Sequence, residues 1–378
     1  MNINQILVSR IVNILKFCAA TSIFYYHFFH KFYNDNIYVQ WSFYGDTMSS
    51  FLINVARQPF DFHSQAILSF GHLGNALLFA ISGWGLTQAY LLKGMNTFSW
   101  WTYLKKRSLR VLPLYYIAII FFTIAAILRK ANPDGIATSL ISTIFFVHII
   151  SPATTHWLDG PLWFIPSLIV LYILFPFVYP FFTKHPHVSL VASIFVAFFS
   201  QLIIFFSPLN SYNPYFLMGV FPLVNVSSFG LGLCLAVLLV RRNNIIFSDG
   251  SRKFIIFFGV CCILIGLFMV DTPILYLQYP LFLMVGIVSV FLPAIKVIAN
   301  TRFLGDTLEK LGSRSYALFL FHFPLVIWFI DIYRERNFMR YPAFAAAVLL
   351  IVIWPPLILL EFAVEKIISL KFKQSHKT

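Results

Sequence analysis

Ile11-Val12-Asn13-Ile14-Leu15-Lys16-Phe17-Cys18-Ala19-Ala20-Thr21-Ser22-Ile23-Phe24-Tyr25-Tyr26-His27-Phe28-Phe29 is an almost unbroken apolar run that holds one lysine and one histidine. A helix needs about 20 such residues to cross the roughly 30 Å hydrocarbon layer of a bilayer, and this run has that length. A spacing of eleven turns a helix through about three turns plus 20° and advances it by roughly 16 Å. Lys16 and His27 therefore share one face of the first span. Ionisable side chains inside a spanning helix usually face the bundle interior and mark a site or a pathway. The plain alternative is that Lys16 snorkels to the interface and His27 is a packing histidine.

Outward from this run the pattern repeats. The 378 residues are 60% hydrophobic, 19% aromatic and only 11% charged, too apolar for a soluble globule with a polar surface. Ten stretches are long enough to span, near 11–29, 66–92, 110–128, 161–182, 188–206, 215–240, 254–270, 273–295, 313–333 and 343–365. An eleventh, 136–150, is of borderline length. Basic residues near span ends favour the cytoplasm, and they concentrate in 93–110, 241–253, 296–314 and 366–378. Treating 136–150 as a short re-entrant or surface helix puts all four on one side. The expected fold is an all-α polytopic transmembrane bundle of about ten spans, with both termini cytoplasmic. It forms one membrane domain over 1–378 with its core at 10–365, a basic cytoplasmic tail at 366–378 and no fused soluble domain.

This topology accounts for most of the +14 net charge. The positives sit at membrane edges instead of on one soluble basic face, so no nucleic-acid partner is expected. The first run keeps a lysine, lacks a small-residue cleavage site and leads into further spans, so it reads as a retained anchor. Cys18, Cys234, Cys261 and Cys262 lie in apolar runs without metal-ligand spacing. His30, His63, His148, His156, His185 and His187 likewise lack the i,i+4 pair with glutamate of a zinc helix. No metal is expected, and no phosphate-binding glycine loop suggests ATP-driven transport.

Four further patterns follow Lys16-x10-His27 in order. They are Gly71-His72-Leu73-Gly74 running to Leu78-Phe79-Ala80-Ile81-Ser82-Gly83-Trp84, and Arg107-Ser108-Leu109-Arg110-Val111-Leu112-Pro113. Leu162-Trp163-Phe164 then continues to Tyr172 and Pro176, and the last is Ser315-Tyr316-Ala317-Leu318-Phe319-Leu320-Phe321-His322-Phe323-Pro324. Together with the first pair they resemble acyltransferase family 3, the integral membrane acetyltransferases that O-acetylate bacterial surface glycans. The likeness covers roughly residues 10–365. Trp84 stands where the family has Phe, and Leu168 where many members have Glu, so no catalytic carboxylate is carried over. Ser167 is one group able to take over that acid's contacts.

The resemblance implies an O-acetyltransferase of the bacterial plasma (inner) membrane, with cytoplasmic acetyl-CoA as donor and an extracytoplasmic or lipid-linked glycan as acceptor. In that picture His27 is general base or transient acyl carrier, and Lys16 marks the inner end of the reaction channel. Imidazole suits the task because its unperturbed pKa of roughly 6.5 lets it take a hydroxyl proton near neutral pH. Arg107 and Arg110, three apart on one helix face, are placed to hold the donor's phosphates at the start of the third span, joined by Lys105 and Lys106. The plain reading of these four is a topology signal. His322 is a substrate or proton-relay group, or a structural histidine bonded to backbone freed by Pro324. Ser82 serves oxyanion stabilisation or, with Gly83, close helix packing. Trp163 and Tyr316 pack beside a sugar or belong to an interfacial belt. Glu361 and Glu365 are expected to pair with Lys366 or another cytoplasmic base. Loops 31–65 and 129–160 are expected on the acceptor side. A transporter or flippase of a polyisoprenoid-linked sugar is the rival reading, although no internal repeat with paired broken helices supports it.

Overall fold

A computed structural model describes residues 3–32, 71, 73–93, 99–130, 132–149, 160–207, 220–241, 251–270, 278–333 and 341–375. Its α-helices are α1 (Ile3–Phe32), α2 (Leu73–Lys93), α3 (Trp100–Leu128), α4 (Pro133–Ile144), α5 (Phe164–Lys184), α6 (Pro186–Phe206), α7 (Val226–Arg241), α8 (Arg252–Val270), α9 (Tyr279–Ala299), α10 (Phe303–Ser313), α11 (Tyr316–Tyr333) and α12 (Pro342–Ser375). Among the described residues 9 helical stretches are long and apolar enough to cross a membrane, and there is no strand. The protein is an all-α polytopic membrane protein. Large apolar side chains on these stretches point outward: Phe254 is 70% exposed and Ile351 71%, as a surface facing lipid requires.

The expected span 66–92 is helical over Leu73–Lys93 but is not one of the nine, because Asn75, Thr87, Gln88 and Lys93 dilute its apolar content. The third span is longer than expected. α3 starts at Trp100, where the Ser99 side chain accepts from the Thr102 N–H, so Arg107 and Arg110 lie about two and three turns inside the helix instead of at its start. The tail expected at 366–378 continues α12 as helix to Ser375.

The segment 136–150 forms a 12-residue helix, α4, followed by a 3-10 turn over Val147–Ile149. A helix of this length spans only about 18 Å and cannot cross the bilayer. It stops because Phe146 turns into the left-handed region (φ 63°), where its N–H reaches the Thr143 carbonyl. The turn is bolted to α3 by Tyr115, whose hydroxyl donates to the Thr143 carbonyl at 2.9 Å and whose ring packs 5.6 Å from that of Phe146. Beneath it lies His148, fully buried, with Nδ1 on the Ser142 carbonyl at 3.3 Å and Nε2 without a hydrogen-bond partner. Burial pushes the His148 pKa down from 6.5 to about 4, against the smaller opposing effect of the Ser142 bond. The ring stays neutral in the fold while the unfolded chain takes up a proton below pH 6.5. Stability is therefore complete above that value and falls as pH drops toward 4, by roughly 3 kcal/mol across the window. Thermal unfolding in detergent from pH 7 to 4.5 should show this slope. His148→Asn, which keeps a donor for Ser142 but cannot titrate, should flatten it.

The chain divides into two compact units. The first comprises 1–93, 181–202 and 226–313, and the second 94–180, 203–225 and 314–378. In the first unit α1, α2 and α9 share a core of Ile11, Ile14, Leu15, Ile81, Ile295 and Ala299. Small residues let backbones approach where hydrophobic driving force is absent. Gly83 of α2 faces the Phe229 carbonyl of α7, and a Cβ on Gly232 of α7 would strike the Ala80 carbonyl and lie 2.7 Å from the Trp84 nitrogen. Gly232→Val should accordingly cost about 1–3 kcal/mol by overpacking, read as a lower melting midpoint in detergent. The 11-residue α10 closes on the N-terminal half of α1. Arg10 pairs with Asp306 and with Glu309 at 3.1 Å, and Gly312 lies against the Asn13 carbonyl. In the second unit α11 packs on α3 and α12, with Phe121 meeting Phe321 and Trp328 at ring separations of 5.4 and 5.6 Å.

Candidate functional site

In the first unit the Lys16 and His27 face of α1 is turned into the protein. At 100° per residue, Ala19, Ala20, Ile23 and Phe24 flank these two positions around the helix, and none is more than 1% exposed. Cys18, on the opposite side, is exposed. Lys16 Nζ donates to Asn13 Oδ1 at 3.1 Å, one turn back along the same helix. The half-buried His27 ring meets Tyr26 edge-on at 5.1 Å, and Tyr26 also lies 5.7 Å from His30.

The second sequence pattern seats on this face between the two residues. A Cβ on Gly74 would come within 2.7 Å of the Ala19 carbonyl and 2.8 Å of Ile23. One on Gly71 would meet the Ser22 backbone and come within 2.7 Å of the Tyr26 Cβ. Ser22 Oγ donates to the Ala19 carbonyl at 2.9 Å and reaches the Gly71 carbonyl at 3.4 Å. Glycine is required at both positions because any side chain would push the chain off α1. Half-buried Ser82 lies further along α2, beside the Gly83 contact with α7. His63, His72, His156, and residues 33–65, 131 and 150–159 of the acceptor-side loops lie outside the described residues.

In the second unit the third, fourth and fifth patterns converge. Arg107 is half-buried with its guanidinium 6.0 Å from the Tyr172 ring centroid, while Arg110, Lys105 and Lys106 are exposed. Tyr103 donates to the Tyr172 carbonyl at 2.8 Å. Tyr316 donates to the carbonyl of Val111, the residue after Arg110, at 2.9 Å, which ties the start of α11 to α3. Phe164, at the start of α5, meets Phe319 with ring centroids 4.8 Å apart. Trp163 closes the 3-10 turn Gly160–Trp163 and meets Phe164 edge-on at 6.0 Å. Ser167 is buried and donates to the Val220 carbonyl, so its hydroxyl is committed to backbone beside the buried Leu168.

His322 is fully buried, and its Nδ1 faces the carbonyls of Leu318 at 3.1 Å and Phe319 at 2.8 Å. Two carbonyls on one nitrogen require the proton there, so Nδ1 is a donor to backbone. Pro324 lacks the N–H that would bond the Leu320 carbonyl, so the backbone it frees is not the backbone on which His322 rests.

Glu365 pairs with Arg314, a base of the 296–314 segment, at 2.9 Å, as expected of it. Glu361 is buried, and its Oε2 accepts from the Ala317 N–H at 3.0 Å, in the first turn of α11. Nothing in the sequence neighbourhood of Glu361 announces this, because its partner belongs to another helix 44 residues away. Among the described residues no three His, Cys, Asp or Glu side chains converge as metal ligands would.

Nine apolar helices among the described residues, an inward Lys and His face and an arginine beside a tyrosine ring define an integral membrane protein with polar chemistry built into its helices. The chain belongs to acyltransferase family 3, whose model, described as an acyltransferase domain, matches residues 10–360. It is thus a membrane acyltransferase. No curated protein and no solved structure matches the chain.

Proposed function

We propose that the protein transfers an acetyl group from cytoplasmic acetyl-CoA to a hydroxyl of an extracytoplasmic or lipid-linked glycan, of the O-antigen, capsule or exopolysaccharide type, in a bacterial plasma (inner) membrane. The observation that carries this reading is the burial of the Lys16 and His27 face, held against α2 by Gly71 and Gly74. His27 takes the proton of the acceptor hydroxyl as its oxygen attacks the thioester carbonyl. The tetrahedral adduct then collapses, the C–S bond breaks, and the imidazolium returns its proton to the departing CoA thiolate. An acyl-histidine route differs in one respect: the imidazole itself first displaces CoA, and the hydroxyl then attacks the acylated ring. Lys16 marks the inner end of the channel. Arg107 and Arg110, with Lys105 and Lys106 contributing charge at the surface, bind the donor's phosphates.

Ser82, Trp163, Tyr316 and His322 support the site. Tyr316 acts through its bond to the Val111 carbonyl, and His322 through the backbone carbonyls that its Nδ1 engages.

Purified protein in lipid vesicles, given acetyl-labelled acetyl-CoA and a lipid-linked oligosaccharide, should move label to the sugar, and NMR of the product locates the ester. Movement of sugar across the vesicle without consumption of acetyl-CoA would instead make the protein a carrier.

A further inference from the structure

Tyr172 and Pro176 belong to the fourth sequence pattern, yet the reaction above gives neither of them a task. They stand four apart in α5, and Pro176 lacks the N–H that would bond the Tyr172 carbonyl. A carbonyl freed inside a spanning helix needs another donor. Tyr103 supplies it, its hydroxyl donating to that carbonyl at 2.8 Å. Tyr103 is buried, and its ring stacks on that of Phe175 with centroids 6.1 Å apart and planes 22° apart. This peg fixes the seam between α3 and α5 at one level.

Arg107 lies four residues after Tyr103, on the same face of α3. Its guanidinium meets the ring of the same Tyr172, 6.0 Å from the centroid. One residue of α5 thus takes Tyr103 on its carbonyl and Arg107 on its ring. A tyrosine of an interfacial aromatic belt requires neither the freed carbonyl nor the cation. Among the described residues no carboxylate pairs with Arg107. A carboxylate would neutralise the guanidinium and occupy its N–H donors. An aromatic face attracts the cation through the ring quadrupole and leaves charge and donors available to an anion.

We propose that Tyr172 is a positioning residue whose ring, fixed by the missing N–H of Pro176 and the hydroxyl of Tyr103, holds the Arg107 guanidinium in place for a phosphate of the acyl donor. The inference rests on the assignment of Arg107 to the donor.

Fluorinated phenylalanines introduced at position 172 of the full-length protein test it, in proteoliposomes with acetyl-CoA as donor and saturating acceptor. Stepwise fluorination weakens the ring quadrupole with little change of shape, so a role in packing alone leaves the series flat. From Y172F through the singly, doubly and triply fluorinated rings, the donor KM should rise step by step to about fivefold. Over the same series kcat should stay within about twofold, and the melting midpoint should not move. In the R107Q background the series should be flat, because ring and guanidinium form one interaction. A flat series in the parent background, or a slope that persists in R107Q, overturns the inference. If R107Q itself retains the parental KM, the donor assignment of Arg107 falls and the inference with it. If R107Q is impaired and the parent series is flat, only the role of Tyr172 is lost.

Discussion

His27→Ala should abolish acyl transfer, with kcat at least about 10³-fold below the parent, while the protein remains folded in the membrane. A positioned general base contributes about 10²–10⁴-fold, and a covalent carrier contributes everything. The structural cost should be small because His27 is only half-buried. Gel filtration in detergent and a melting curve establish the fold, and label transfer from acetyl-CoA establishes the loss. Label trapped on the protein in the absence of acceptor, released by hydroxylamine and missing from His27→Ala, selects the acyl-histidine route. Full activity in the variant would remove His27 from the chemistry.

The double variant Arg107→Gln, Arg110→Gln should raise the KM for acetyl-CoA by about 100-fold, with a smaller effect on kcat. Each charge-assisted hydrogen bond to a phosphate is worth about 1.5–3 kcal/mol, so two together reach this range even after solvent screening of the exposed Arg110. Raising salt from 0.05 to about 0.5 M should weaken donor binding to the parent protein and barely affect the variant. Lys105→Gln and Lys106→Gln, both exposed at the surface, should each change KM by less than about threefold. Arg129 pairs with Asp331 at 2.8 Å, and Arg129→Gln should leave KM within about twofold. An unchanged donor KM in the double variant would move the donor site elsewhere.

Much of the bundle is legible because lipid imposes a simple rule: a spanning helix must be apolar and about 20 residues long. Nine of the expected spans answer to that rule, and α4 fails it by length. Span ends were less legible. The start of α3 at Trp100 is set by a Ser99 cap in a polar and aromatic stretch, where apolar content alone gives no boundary. The inward face of α1 follows from helical geometry once Lys16 and His27 are counted eleven apart. Which side of that helix is buried does not follow from the count, and the exposure of Cys18 against Ala19, Ala20 and Ile23 supplies the answer.

Composition and periodicity by themselves determined that this is a helical membrane protein, and the order of its polar motifs determined the family to which it belongs. Both signals are local, because a span or a motif is written in consecutive residues. Contacts between distant segments were decided only by the tertiary structure. Gly71 and Gly74 seat on α1 between Lys16 and His27, Tyr316 bonds a carbonyl 205 positions earlier in the chain, and Glu361 caps α11 from α12. Two of these partners are backbone groups, which every residue carries, so no side-chain pattern encodes which one is used. The meeting points are set by how the helices pack, a property of the folded chain as a whole.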